Sequence, residues 1–322
     1  MMADMDDSAS ATGHRFLLAT GLAVLTAVTC WLFGHLPWVV SGFSWSTTRT
    51  APVGSSSEGL AGVRLTIPLV AAFLPSLVAF TTIGAVSATL LPLVLTTRAG
   101  DRLPALAVAT ASLLVTTVVV TVSARSTIRA HASDAFAGDT RVLQGLVLVV
   151  AGATLAGGVL GALSSVQIGF LPMAAALAAG QLPTWVAGFL VGHDHGAGAT
   201  RAAEHLSDAL ALVTLAAAFV LSVRRSAAWM LLWPLAIAIY WTSTPFRVMT
   251  TWLAPQLRPS SGLPDALPDL LRGGLDVFRA SFWEAHQARW PWLLALVVAL
   301  GWYAVEQGVR RTRAEVAEGS RR

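Results

Sequence analysis

Eight long apolar stretches dominate the sequence and leave few folds open to the chain. They cover residues 16–40, 65–97, 103–124, 142–164, 168–191, 207–223, 227–252 and 290–308. A helix that crosses a bilayer needs about 20 mostly apolar residues. Only 12% of the 322 residues are charged, which is about half the share in a soluble globular protein. The sequence therefore predicts an all-α, polytopic transmembrane helical bundle of eight spans, with residues 1–322 forming a single membrane domain and no soluble domain.

Composition makes several kinds of chemistry improbable. The 21 basic residues are all arginine, so no lysine is present for a Schiff base or a P-loop. Cys30 is the one cysteine, which excludes an intrachain disulfide and a metal site built from several cysteines. The H-E-x-x-H and G-x-S-x-G motifs of zinc proteases and serine hydrolases are also absent. An enzyme is therefore the less favoured class. Arginine without lysine, in an alanine-rich chain, is typical of a bacterial gene.

The placement of the arginines predicts the orientation. Basic residues are enriched on the cytoplasmic side of membrane proteins. With a cytoplasmic N-terminus, the inner segments hold ten arginines in about 40 residues, whereas the outer segments hold ten in about 90. Arg224, Arg225 and the C-terminal arginines carry most of this asymmetry. We therefore expect a cell-membrane protein with both termini in the cytoplasm. The scatter of arginines over loops disfavours nucleic acid as a partner.

Two of the spans contain residues that interrupt a helix. Segment 65–97 is too long for one ordinary span, and its prolines predict a half-helix up to about Leu74 followed by a span from Pro75. Segment 168–191 is predicted to be interrupted between Gly180 and Pro183.

Interrupted helices line the substrate sites of many transporters, and polar residues within a membrane segment are candidate functional groups. The predicted substrate path consists of Pro75, Gln181, Pro183 and Arg247. The alternative for Arg247 is an anchor at the outer interface, because an aromatic belt of Tyr240 and tryptophans lies nearby.

Span four contains a G-x-x-x-G pair at Gly157 and Gly161. Small residues four positions apart let a second helix approach closely. The pair therefore predicts tight packing, either within the bundle or between two copies of the chain.

The histidines suggest a metal site on the predicted outer face. His-x-His with nearby carboxylates can chelate a divalent metal such as zinc. The candidate ligands are His193, Asp194, His195, Glu204, His205 and Asp208. The alternative is a polar loop followed by an acidic first turn of span six, which the helix dipole favours. We predict no other cofactor.

An amphipathic helix is predicted over residues 268–288, on the outer face before the last span. Its apolar residues recur every three or four positions at Leu267, Leu271, Leu275, Phe278, Phe282 and Ala285. This spacing is typical of a helix that lies on a membrane surface or closes the end of a bundle. Binding of a protein partner is the alternative.

Three functions fit these features. The first is a non-enzymatic membrane protein, either a permease-like carrier or a membrane subunit of a cell-envelope assembly. The second is a membrane-embedded enzyme that uses the metal at the histidine cluster. The third is a scaffold that binds a partner through residues 268–288. The expected partners are the lipid bilayer and a second membrane protein or another copy of the chain.

Overall fold

The computed structural model of the chain describes residues 3–40, 69, 71–96, 99–131, 140–190, 197–257, 263–284 and 289–319. Within these ranges the chain forms helices and no strands. Eight of the helices are long and apolar enough to span a membrane. The predicted all-α bundle of eight spans is therefore confirmed.

The described residues form nine α-helices. Their bounds are α1 Ala3–Val40, α2 Leu74–Leu95, α3 Ala99–His131, α4 Thr140–Val166, α5 Leu171–Leu190, α6 Ala197–Arg225, α7 Trp233–Gln256, α8 Leu263–Glu284 and α9 Arg289–Gly319. Helix α8 is the predicted amphipathic helix, and the other eight are the candidate spans. The membrane interior offers no hydrogen-bond partner to a free backbone group, so long helices are the stable form of these apolar segments.

The connections between helices are short at one end of the bundle. Gln167 and a 3₁₀ turn at Ile168–Phe170 join α4 to α5. Ser226 and a 3₁₀ helix at Ala227–Leu232 join α6 to α7. We call this end, where α2, α4 and α6 finish, the near end, and the opposite end the far end. With eight crossings, α1 begins and α9 finishes at the near end.

Helices α2 and α5 occupy the centre of the bundle. Helix α2 packs against α1, α3, α4, α5 and α7, and α5 packs against α1, α2, α4, α6 and α7. More than half of the 22 residues of α2 are buried, as are half of the 20 residues of α5. Alanines such as Ala176 and Ala179 are fully buried, and their small side chains let the neighbouring helices approach closely. The two spans with predicted interruptions are therefore the two central ones.

The G-x-x-x-G pair packs inside the bundle, on α2. A Cβ atom at Gly157 would lie 2.7 Å from the Thr82 carbonyl oxygen. A Cβ atom at Gly161 would lie 3.0 Å from the Val86 carbonyl oxygen and would collide with the Thr89 hydroxyl. The Ser165 hydroxyl also donates a 2.6 Å hydrogen bond to the Thr89 carbonyl. Of the two interpretations, close packing within the chain is the one observed.

The predicted interruption of segment 168–191 is wrong, whereas the span predicted from Pro75 begins where expected. Helix α5 runs without interruption from Leu171 to Leu190, with Pro183 inside it. Pro183 removes one backbone hydrogen bond, and the alanine-rich, buried flanks are good helix formers that keep the helix continuous. Helix α2 begins at Leu74 with Pro75 in its first turn, where a missing N–H is tolerated. The half-helix predicted before it lies mostly outside the described residues.

Span six also begins earlier than the sequence suggests. The apolar stretch starts at residue 207, whereas helix α6 starts at Ala197. Alanine has the highest helix propensity, and residues 197–203 are rich in it, so the helix continues past the charged side chains of Arg201 and Glu204. Asp208 therefore lies in the fourth turn of α6, and the proposed acidic first turn is wrong.

The eight crossings and the arginine asymmetry give a direct test of topology. Reporter fusions after Arg225 and after Arg322 are expected to read cytoplasmic, and fusions at Gly196 and Ser261 are expected to read external. Alkaline phosphatase and a fluorescent protein, fused at the same four positions, give opposite signals and control for expression. A cytoplasmic reading at Gly196 would contradict the predicted orientation.

Candidate functional site

Arg247 lies half-buried within the seventh candidate span. Nine residues, about 14 Å of helix, separate it from the last residue of α7 at Gln256. Its carbonyl oxygen accepts hydrogen bonds from the hydroxyls of Thr250 and Thr251, each at 2.9 Å. Pro245, two residues earlier, is buried and donates no backbone hydrogen bond. A charged side chain within a candidate span is a candidate functional group.

Tyr240, Asp208 and Glu204 lie within electrostatic range of the Arg247 guanidinium. Tyr240 is buried on the same helix, whereas Asp208 and Glu204 belong to α6. Among the described residues, direct ion pairs join Asp269 to Arg272, Asp276 to Arg279 and Glu306 to Arg310. Within that part of the chain, Arg247 therefore has carboxylates in electrostatic range without a direct ion pair to either.

Asp208 is held in place by the last span. The indole Nε1 of Trp290, at the far-end start of α9, donates a 3.1 Å hydrogen bond to Asp208 Oδ2. The rings of Trp241 and Trp292 lie beside each other with centroids 6.5 Å apart. Trp241 lies six residues before Arg247 on α7, so this aromatic pair is on the near-end side of Arg247. We call Glu204, Asp208, Tyr240, Arg247 and Trp290 the Arg247 cluster.

Helix α5 passes close to this cluster. A Cβ atom at Gly180 would collide with the side chain of Ser243, one turn before Arg247 on α7. Gln181, the next residue on α5, is 4% exposed, and Pro183 is half-buried. Both helices run from the near end to the far end. Pro183 on α5 and Arg247 on α7 therefore each lie about one turn closer to the far end than the contact between Gly180 and Ser243.

The remaining member of the predicted substrate path lies on a third helix. Pro75 is half-buried at the far-end start of α2, and α2 packs against both α5 and α7. The structure thus distributes Pro75, Gln181, Pro183 and Arg247 over three mutually packed helices. It shows no direct contact between Gln181 and Arg247 among its described hydrogen bonds. The substrate path itself stays a prediction.

The predicted metal site is described only in part. His193, Asp194 and His195 lie outside the described residues. Glu204 and His205 are exposed on α6, and Asp208 is half-buried. Within the described ranges, no three His, Cys, Asp or Glu side chains form a group that can hold a metal. The Arg247 charge near Asp208 and Glu204 also disfavours a divalent cation there. The metal site stays a prediction.

The amphipathic helix α8 packs along α7 from Trp252 to Trp241. Gly273 faces the Trp252 ring, where an added Cβ would lie 2.8 Å from Cη2, and Gly274 faces Leu253. A second face, with Leu267, Leu271 and Leu275, is exposed and apolar. The third face carries the ion pairs of Arg272 with Asp269 at 3.2 Å and of Arg279 with Asp276 at 3.6 Å. The Trp241 indole Nε1 donates a 3.1 Å hydrogen bond to the Phe282 carbonyl, so α8 runs antiparallel alongside α7 rather than across its end. Binding of a partner to the exposed apolar face stays a prediction.

Sequence reasoning named Asp208 and Arg247 but assigned them to different sites. They are 39 residues apart on separate helices, and apolar helices carry no sequence signal for which faces meet. The spacing of Glu204 and Asp208, four residues apart, did indicate one shared helix face. In comparisons with known proteins, no family model matches the chain, and no curated protein or solved structure shows significant similarity to it.

Proposed function

We propose that this multi-pass membrane protein is a permease-like carrier that binds a small zwitterionic solute at the Arg247 cluster. The observation that carries the proposal is the half-buried guanidinium inside a membrane span, near two carboxylates but paired directly with neither among the described residues. A charge at such a depth is kept only where a partner or a function offsets its cost.

The chemistry of the cluster fits a ligand with both signs of charge. A guanidinium binds a carboxylate through two parallel hydrogen bonds, which gives both strength and orientation. Asp208 and Glu204 together carry one more charge than Arg247 offsets, so a purely anionic ligand meets repulsion. A solute with a carboxylate for Arg247 and an ammonium group for Asp208 satisfies both signs. Amino acids are the simplest solutes of this class.

The position of the cluster also fits a carrier. It lies next to α5, one of the two central helices, at the contact between Gly180 and Ser243. Small residues at such a crossing let two helices slide or tilt without moving bulky side chains. A solute bound beside the crossing is therefore placed where helix movement can change its access.

Ligand-induced thermal stabilisation tests the proposal in purified, detergent-solubilised protein. At constant ionic strength, we expect a zwitterionic amino acid to raise the unfolding temperature, whereas matched carboxylic acids and matched amines have little effect. A ligand at 100 times its Kd stabilises the folded state by about 2.7 kcal/mol. Arg247→Gln and Asp208→Asn are expected to abolish the shift, and counterflow in proteoliposomes should then show transport of the stabilising amino acid.

Arg279→Gln is the matched control, because Arg279 is an exposed arginine on α8 with an ion pair to Asp276. This variant should keep the full response. The proposal is wrong if Arg247→Gln responds like the unmodified protein. It is also wrong if none of the twenty amino acids stabilises the protein while it folds normally.

A further inference from the structure

A cleft lies between α1, α2 and α3, away from the Arg247 cluster. Its walls are formed by Cys30, Gly34, His35, Phe80, Thr81, Gly84, Thr116, Thr117 and Val120. It encloses about 300 Å³ between atoms, including its open mouth. Its inner part has room for about one water molecule. Gly34 and Gly84 bring α1 and α2 together here, since a Cβ on Gly84 would lie 3.2 Å from the Gly34 Cα.

His35 is buried at this cleft without a hydrogen bond. The residue is 9% exposed, and neither Nδ1 nor Nε2 has a hydrogen-bond partner among the described residues. The Trp31 backbone, one turn earlier, interacts with the imidazole without meeting hydrogen-bond geometry. A buried polar group with no partner in the protein is usually satisfied by water, and the cleft offers space for one molecule.

The charges around His35 are few. The Ser112 hydroxyl donates a 2.7 Å hydrogen bond to the Ala23 carbonyl, which aligns α3 with α1 and places Arg125 near the level of His35. The Arg125 Nε is itself buried without a partner in the described part of the chain. Helices α2 and α5 carry no acidic or basic residue, and Asp101 and Arg102 lie at the opposite end of α3. On α1, Cys30 is the other titratable side chain facing the cleft.

These observations make the closed cleft unfavourable for a cationic imidazole. An unpaired charge away from water is costly in a membrane protein. No carboxylate on the described parts of α1, α2, α3 or α5 faces the ring to offset that cost. A protonated His35 therefore favours an arrangement in which water reaches the ring.

We infer that the cleft is a proton-binding site, in which water passes a proton to a His35 ring nitrogen and the resulting cation separates α1 from α2 and α3. The neutral ring fits the closed arrangement described above. The proton is the only species transferred, from hydronium in the cleft to the imidazole. This site is independent of the Arg247 cluster and of any transported solute.

The direction of the pH effect follows from proton counting. The closed arrangement binds no proton at His35, whereas the open one binds it as a solvated imidazole does, near pH 6.5. Acid therefore favours the open arrangement. Each pH unit below about 6.5 raises the population of the open arrangement by up to about tenfold. Cys30 is 7% exposed in the closed arrangement and lines the same cleft, so its reactivity reports on opening.

Labelling of Cys30 with a dipyridyl disulfide, a reagent that reacts in acid, tests the inference. The rate in folded protein is divided by the rate in denatured protein at the same pH, which removes the intrinsic pH dependence of the thiol. Between about pH 7.5 and about pH 4.5 we expect this ratio to rise by at least about tenfold. His35→Gln should leave the ratio low and flat. His205→Gln, which changes an exposed histidine on α6, should keep the rise.

If His35→Gln does not fold, His35→Phe replaces it, since a phenyl ring keeps the volume and cannot be protonated. A flat ratio in the unmodified protein overturns the inference. A rise that persists in the folded His35 variant also overturns it, because another group then controls opening.

Discussion

Gly161→Leu is expected to lower the free energy of unfolding by about 3 kcal/mol or more, at or above the upper end of the usual cost of overpacking. The Cβ alone would collide with the Thr89 hydroxyl and lie 3.0 Å from the Val86 carbonyl oxygen. The second contact is with backbone, which cannot turn aside as a flexible side chain can. Leucine therefore forces α4 away from α2, the central helix of the bundle.

Gly152→Leu is the control on the same helix, nine residues earlier. Gly152 is exposed, and nothing lies within 4 Å of its added Cβ. This variant should unfold at or above the temperature of the unmodified protein, because leucine is the better helix former. Thermal unfolding and size-exclusion profiles in detergent give the comparison. Equal stability of the two variants would show that α4 does not pack on α2 through Gly161.

The second large effect is expected at the contact between α1 and α2. A Cβ on Gly84 would lie 2.9 Å from the Cys30 carbonyl oxygen and 3.2 Å from the Gly34 Cα, and both are backbone atoms. Gly84→Leu should therefore displace α1 and expose Cys30, which is buried in the unmodified protein. We expect maleimide labelling of Cys30 at neutral pH to change from slow and incomplete to rapid and stoichiometric.

Gly21→Leu serves as the control, because Gly21 is an exposed position on α1 with nothing within 4 Å of an added Cβ. Cys30 should stay protected in this variant. Mass spectrometry of the intact protein counts the label directly, since the chain has one cysteine. Protection of Cys30 in a folded Gly84→Leu variant would place α1 elsewhere.

The membrane explains why the spans were predictable. Hydrophobic length alone identified all eight candidate spans, because a bilayer accepts only helices of a certain length from such a chain. The ends were harder to place. Helix α6 starts ten residues before its apolar stretch, since Ala-rich sequence keeps a helix going beyond the hydrophobic part. The continuity of α5 through Pro183 depends on packing at the bundle centre, which a linear sequence does not contain.

Helix pairing was less predictable than helix position. Gly157 and Gly161 indicated a close approach, but apolar side chains on α2 and on any other span offer the same kind of surface. The same reason kept Asp208 and Arg247 apart in the sequence interpretation, although both were named. The burial of His35 arises only when Gly34 and Gly84 bring two helices together, which the sequence of neither helix shows.

The short links at residues 167–170 and 226–232 limit how this bundle can deform. Helices α4 and α5, and likewise α6 and α7, are tied together at the near end and cannot translate independently there. Their relative motion is therefore a rotation about these links, and displacement grows with distance from them. For a helix of the length of α5, about 30 Å, a tilt of about 5° moves the opposite tip by about 2.6 Å. Pro183, the residue of α5 level with Arg247, lies about 18 Å along this arm, so the same tilt moves it by about 1.6 Å.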